Sequence, residues 1–170
     1  MVNAQVLMGF EVFKGLDDEE LAKIAELCHV GPLYEGQHIF IEGKRATHLH
    51  LLRSGKVDIV VWVREPWNRN VTVHRVEAGE LFGWSALVAP YTYTASAECV
   101  EAGEEICIKS SELQHLLDQY PHMGHVVMRN ISAEISERLT QSRQRLSTEW
   151  LDSGMPSPTD STAWGEPKRR

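Results

Sequence analysis

From His29 to Ile108 the chain is interrupted every few residues by turn-forming residues, and the pieces between them are β-type. Short strands at close spacing leave no room for long helices here, and they point to a sandwich or jelly roll. Gln37 to Ile41 lies between Gly36 and Gly43, and His48 to Arg53 stops at Ser54-Gly55. Val57 to Val63 is strongly β-branched, as a pleated, half-buried surface favours. Val71 to Val76 alternates apolar and polar, with Arg64 to Asn70 as the hairpin loop before it. Thr94 to Val100 and Glu105 to Ile108 flank Gly103 as a second hairpin. At least seven short strands are expected.

Helical periodicity brackets this region. Before it, residues 10–28 read as one helix, with Asp17-Asp18-Glu19-Glu20 at the end where the helix dipole favours negative charge. After it, Ser110-Ser111-Glu112 reads as the cap of a helix reaching Gln119 and stopped at Tyr120-Pro121. A longer helix follows over about His122 to Trp150. Along it Met128, Ile131, Ile135, Leu139, Ser142 and Leu146 recur every three or four residues, a seam close to a heptad repeat. A seam this long exceeds what one small roll covers, so the helix is expected to pair in parallel with a second subunit around Met128, Ile131, Ile135 and Leu139. The alternative is a helix lying back along its own domain. The organisation is therefore a helical lead-in (1–28), a β-roll (29–109), C-terminal helices for dimerisation (110–150) and a tail (151–170) with Pro156, Pro158 and Pro167, expected to be disordered.

The formal net charge of −7 argues against nonspecific contact with nucleic acid or an anionic membrane. Cys28, Cys99 and Cys107 form no CxxC pair, a sparse count that suits a reducing cytoplasm. Cys28 reads as core on a helix face, and Cys99 and Cys107 as approaching across a hairpin without a disulfide. No signal peptide or membrane-spanning run is evident, so a cytoplasmic location is expected. Ser85 lacks the second glycine of a nucleophile elbow. His48 and His50 share one strand face, which a metal-dependent cupin-like enzyme would use, but no further ligands are evident and solvent-facing histidines are the plainer reading.

The segment Val76 to Ile108 holds no Lys or Arg and six Glu: Glu77, Glu80, Glu98, Glu101, Glu104 and Glu105. Several pieces in order, Phe13-Lys14-Gly15-Leu16, Gly36 to Gly43, Leu49 to Val57, Gly79-Glu80-Leu81-Phe82-Gly83 and Ile135 to Leu139, resemble the cyclic nucleotide-binding domain of catabolite-activator (Crp/Fnr-like) regulators. The resemblance implies a mainly β fold, a double-stranded β-helix (jelly roll) with flanking helices and a long C-terminal helix. It also implies a non-catalytic regulatory role. In that family a short helix after a glycine points its N–H groups at the cyclic phosphate, a Glu after that glycine binds the ribose, and an Arg in an Arg-Ser/Thr-Ala motif pairs with the phosphate. The family's helix-turn-helix domain is not expected here, because Pro- and Ser-rich sequence follows Trp150, so nucleic acid is not an expected partner.

Gly79-Glu80 is the tempting match to the Gly-Glu pair, but the family places that Glu about nine or ten residues before the Arg motif. Tyr93-Thr94-Ala95 fits the motif, and counting back sets Gly83-Trp84 on the Gly-Glu pair. Trp84 then stands for the ribose-binding acid and Tyr93 for the phosphate-binding base. Each charged hydrogen bond is worth roughly 1.5–3 kcal/mol, so losing both costs about 3–6 kcal/mol, or roughly a hundred- to ten-thousand-fold in affinity. Ordinary cAMP or cGMP binding is disfavoured. The candidate site is Phe82, Gly83, Trp84, Ser85, Ala86, Tyr93, Thr94 and Ala95, suited to a neutral or aromatic ligand. The other reading closes the pocket with its own aromatics and leaves a dimerisation or interaction module.

Overall fold

In the computed structural model, residues 2–64 and 68–152 are described, with side chains to residue 144. The expected tail beyond Asp152 and the tip of the loop at 65–67 lie outside the described residues. Two compact units appear, one ending at Ile135 and one beginning at Ser136 within the long helix.

The lead-in is three short pieces rather than one helix over 10–28: α1 (Ala4–Leu7), a 3₁₀ turn (Glu11–Phe13) and α2 (Asp18–Ala25). A capping box sets the start of α2. The Glu20 N–H donates to Asp17 Oδ1 (2.9 Å) and the Asp17 N–H to Glu20 Oε2 (3.0 Å), satisfying two donors that the first turn leaves orphaned. The other Glu20 oxygen lies 2.7 Å from His122 Nδ1 at the start of the long helix. Cys28 does not lie on a helix; it opens β1 (Cys28–Leu33).

Among the described residues six antiparallel strands form one sheet: β1, β2 (His38–Phe40), β3 (His48–Val63), β4 (Arg69–Val76), β5 (Leu81–Phe82) and β6 (Ser96–Lys109). The order is β1-β6-β3-β4, with β2 added on β6 and β5 on β3. The expected number was at least seven, and the difference has a clear cause. Ser54-Gly55 and Gly103 do not end strands; they are facing bulges inside two long ones. The β3–β6 register shifts between Leu52 and Ser54, again before Lys56 and again before Val57. Gly55 has φ +84°, and a Cβ there would run into the Glu101 and Ala102 carbonyls; one at Gly103 would run into the Ser54 backbone. The strands therefore bend together and continue, which is how one sheet closes into a roll. Cys99 and Cys107 consequently lie on the same strand, not across a hairpin, and all three cysteines are free thiols. β1 escapes pattern reading because Gly31-Pro32 interrupts it, and an edge position is where a strand proline is tolerated.

α3 (Ser110–Gln119) begins one residue earlier than a serine cap requires. Lys109 is its N-cap, without a side-chain cap bond, and its ammonium reaches Glu112 (3.1 Å) instead. Pro121 is the first residue of α4 (Pro121–Asp152), where a missing N–H costs nothing.

The first unit has two large cores. Leu49, Leu51, Leu81, Ile106 and Ile108 turn one sheet face toward the helices, while Leu33, Leu52, Val57, Val76, Phe82 and Ala97 fill the inside of the roll. Val126, Val127 and Ile131 of α4 are buried against the first core, with Met128 and Ile135 packed beside them. Three of the four residues expected at a subunit seam thus pack on their own domain, and Leu139 is 49 % exposed. The Asn130 amide fixes this packing by donating to the Val12 and Lys14 carbonyls (3.1 and 2.9 Å).

On β3, the nearly buried Asp58 accepts two hydrogen bonds from Arg75 (2.6 and 2.9 Å) and one from Thr72 (3.2 Å). The Arg75 bond, helped by its charge, holds the Asp58 carboxyl below the usual range. Its stabilising contribution is complete above the unfolded value, about 3.9, and is lost as pH falls through the lowered folded value. The acid limb of a thermal-melting profile should therefore be shallower in Asp58→Asn. In the cores, Ile131→Ala should cost about 2–5 kcal/mol in denaturant unfolding. Gly55→Ala should cost about 1–3 kcal/mol from the backbone conformation alone, and more from the contact with Glu101.

Candidate functional site

β5 ends at Phe82, and the chain then turns through Gly83 (φ +75°) into a 3₁₀ turn over Trp84–Ala86. A glycine is required at that turn. A Cβ at Gly83 would lie 2.9 Å from His50 Cδ2, 3.2 Å from the His48 carbonyl and 3.3 Å from Phe40 Cε1. The turn therefore sits directly on the inner wall of the roll. Its closing bonds run from the Ala86 N–H to the Gly83 carbonyl (3.0 Å) and from the Leu87 N–H to the Trp84 carbonyl (2.9 Å).

The candidate residues divide between two surroundings. Phe82 is buried in the inner core, and Ala86 and Tyr93 are buried together with Ala46 against Phe40. Trp84 turns the other way and packs on the core shared with the helices. Ser85 and Ala95 are half-buried and Thr94 is exposed. Trp84 and Tyr93, paired by register in the sequence, therefore do not share one pocket wall.

Tyr93 is 5 % exposed. Its ring stacks on Phe40 at 3.9 Å between centroids and 6° between planes. Its hydroxyl accepts from the Thr47 N–H and donates to the His48 carbonyl, both at 3.4 Å. The backbone is pinned as well: the Tyr93 N–H donates to the Lys44 carbonyl and the Gly43 N–H to the Tyr93 carbonyl, both at 2.9 Å. This brings Lys44 and Arg45 beside the cation-free segment. Arg45 pairs with Thr92, and both alternate with the inward pair Ala46 and Tyr93. Arg45 is exposed, so its guanidinium is on the outside of the segment that Tyr93 fills from within.

His50 was read from the sequence as a solvent-facing histidine, and the structure corrects this. It is 6 % exposed, with its ring stacked on Phe82 (5.0 Å) and tilted against Phe40 (5.6 Å). Its Nδ1 lies 2.8 Å from Glu105 Oε2, so the carboxylate fixes the tautomer and orientation of the ring just under Gly83. The sequence signal was present in the period of two that carries His50 and Leu52 to the same face, but the partner lies 55 positions away. His48 is half-buried 6.2 Å from the His50 ring, and burial followed by the His50 charge lowers its pKa. Among the described residues no group of three His, Cys, Asp or Glu side chains could hold a metal. Burial, then the neighbouring Cys107, pushes the Cys28 thiol up to about 12, leaving it without nucleophilic character.

The acids of the cation-free segment find cations on β3. Lys56 reaches Glu101 at 2.6 Å and Arg53 reaches Glu104 at 3.2 Å, both at the surface. His74 lies 3.3 Å from Glu80, and a second Glu80 contact accepts the Glu77 N–H (2.8 Å). Glu80 thereby closes the turn before the cassette.

A family model described as the cyclic nucleotide-binding domain matches residues 32–120, half of the chain. Among solved structures, a protein of Geobacter metallireducens GS-15 described as a cyclic nucleotide-binding protein is 30 % identical, with a TM-score of 0.73 over 82 % of this chain and 99 % of that one. The catabolite activator protein of Thermus thermophilus superposes with a TM-score of 0.67 at 26 % identity, over 81 % of this chain and 62 % of that one. Among curated proteins, glutaminase 1 of Bradyrhizobium diazoefficiens is 26 % identical over 75 % of this chain but only 20 % of its own length. The chain spans less than two thirds of the curated relatives it matches. No described helix is long and apolar enough to cross a membrane. With that family model matching half of the chain, the chain belongs to the cyclic nucleotide-binding domain family.

Proposed function

We propose that this chain is a non-catalytic regulatory domain of the cytoplasm whose cassette does not take cAMP or cGMP. The observation that carries this is Tyr93. It occupies the position of the family's phosphate-binding arginine, buried on Phe40, with its hydroxyl committed to backbone. A phosphate there would meet the stacked Tyr93 and Phe40 rings, while Lys44 and Arg45 of the adjoining segment are exposed. Trp84, at the position of the ribose-binding acid, is turned into the helix-side core. Any ligand at Gly83, Ser85 and Thr94 would have to be uncharged or aromatic and would have to displace the Tyr93–Phe40 stack.

That stack also supports a second reading, a ligand-free module that works through dimerisation or protein contacts. The surface for pairing is the part of α4 that carries the exposed Leu139 and continues the seam beyond the domain's own core. No nucleic acid or membrane partner is part of either reading.

Isothermal titration of the full chain with cAMP and cGMP tests the first claim. Saturable binding should be absent below roughly 0.1 mM, the affinity left when a micromolar site loses about 3 kcal/mol. A low-micromolar constant for either nucleotide would refute it. For the helix, sedimentation equilibrium at micromolar concentration should give a dimer that Leu139→Glu dissociates while leaving the melting temperature of the roll nearly unchanged. A monomer in the unsubstituted chain would remove the pairing claim.

A further inference from the structure

An open cleft of about 420 Å³ is lined by Leu87 and Tyr91, which follow the cassette turn, and by residues of the α3–α4 corner. This volume lies within the range of small-molecule sites, about 300–1,000 Å³. Leu87 and Leu117 are buried in its floor and Met128 is half-buried beside them, an apolar and polarisable base. Gly124 lets α4 come close to α3 here, since a Cβ would stand 2.9 Å from the Leu117 carbonyl oxygen.

Tyr91, Asp118 and His125 line this cleft and are exposed, and among the described residues no hydrogen bond or ion pair engages their side chains. Tyr91 is unusual in a second respect. Its φ is +57°, a conformation that costs a bulky residue energy, and backbone bonds hold it there: Ala46 N–H to the Tyr91 carbonyl (2.8 Å) and Tyr91 N–H to the Val88 carbonyl (3.0 Å). The strained residue presents a ring that is 44 % exposed at the cleft.

The charge of the lining selects the ligand. No Lys or Arg lines the cleft; its ionisable groups besides Tyr91 are His125 and one carboxylate, Asp118. At the start of α4, Pro121 has no N–H and the Gly124 N–H is spent on the Tyr120 carbonyl (3.1 Å). We propose that this cleft binds a small organic amine, with its ammonium group on Asp118 and its flat apolar body between the Tyr91 ring and the Leu87–Met128 floor. Charge-assisted hydrogen bonding to Asp118 and ring contact with Tyr91 favour this orientation. Binding is coupled to the cassette turn, because Gln114 of the same wall donates from Nε2 to the Ala86 carbonyl (3.3 Å).

This inference goes beyond the closed cassette and does not rest on it; a cyclic nucleotide binding at Tyr93 would leave it standing. It is tested by titrating the full ¹⁵N-labelled chain with 2-phenylethylamine and, separately, with phenylacetate, which keeps the ring but reverses the charge. The amine should give saturable shifts at Tyr91, Gln114 and Gly124, with a response at Ala86, and phenylacetate should bind at least about tenfold more weakly. Asp118→Asn, a surface change that keeps the shape, should weaken amine binding by about tenfold or more while leaving the rest of the spectrum in place. Tyr91→Ala should weaken it too, by loss of the ring. Equal binding of amine and acid, shifts that map elsewhere, no saturation at millimolar amine, or an unchanged affinity in Asp118→Asn would each overturn the proposal.

Discussion

Everything in the first unit depends on the close passage of β3 past β6. Gly55 and Gly103 face each other's backbones at distances that no side chain could share, and both strands bulge there and carry on. Without the bulges β3 and β6 would be four short strands, as the sequence pattern suggests. With them, two long strands run the length of the roll, and each holds the helix-side core at one end and the inner core at the other. Leu49 and Leu51 belong to the first core and Leu52 and Val57 to the second, all on β3. The cassette is positioned by the same strand, since β5 pairs with His50 and Leu51 just before the chain turns at Gly83.

The turn at Gly83 rests on the inner wall of the roll. Close to it lie a Tyr93 ring stacked on Phe40 and a His50–Glu105 pair. Burying such a pair is costly unless its members are partnered; the 2.8 Å contact engages one atom of each, and the Phe82 and Phe40 rings pack against the imidazole. The acids of this segment are not an uncompensated field either. Glu101 and Glu104 lie across from Lys56 and Arg53, at exposed sites where such pairs contribute roughly 0–1 kcal/mol each. They set the polarity of the surface and do not hold the fold together.

Much of this was legible in the sequence for a physical reason: turn residues and period-two alternation act locally. Val57 to Val63, the hairpin to β4, the break at Tyr120-Pro121 and the glycine-led turn at Gly83 all follow from neighbours within a few positions. What was not legible depends on pairs far apart. A glycine that ends a strand and a glycine that bulges one look alike until the partner, some fifty residues away, is known. The lead-in was misread because the acidic run at 17–20 marks a true helix start, while the apolar residues before it belong to separate turns. Cys28 and His50 were misplaced for the same reason, as burial comes from the opposite strand or helix. The seam on α4 was periodic as expected, but periodicity does not say whether the covering surface belongs to the same chain.

Asn130 and Glu20 tie the beginning of the chain to α4. Asn130 grips the carbonyls of Val12 and Lys14, and Glu20 closes the cap of α2 while touching His122 on α4. The lead-in and α4 are thus latched at two points, one before α2 and one within it. Because one Glu20 oxygen holds the cap and the other meets His122, a shift of α4 that keeps both latches has to carry residues 12–20 with it.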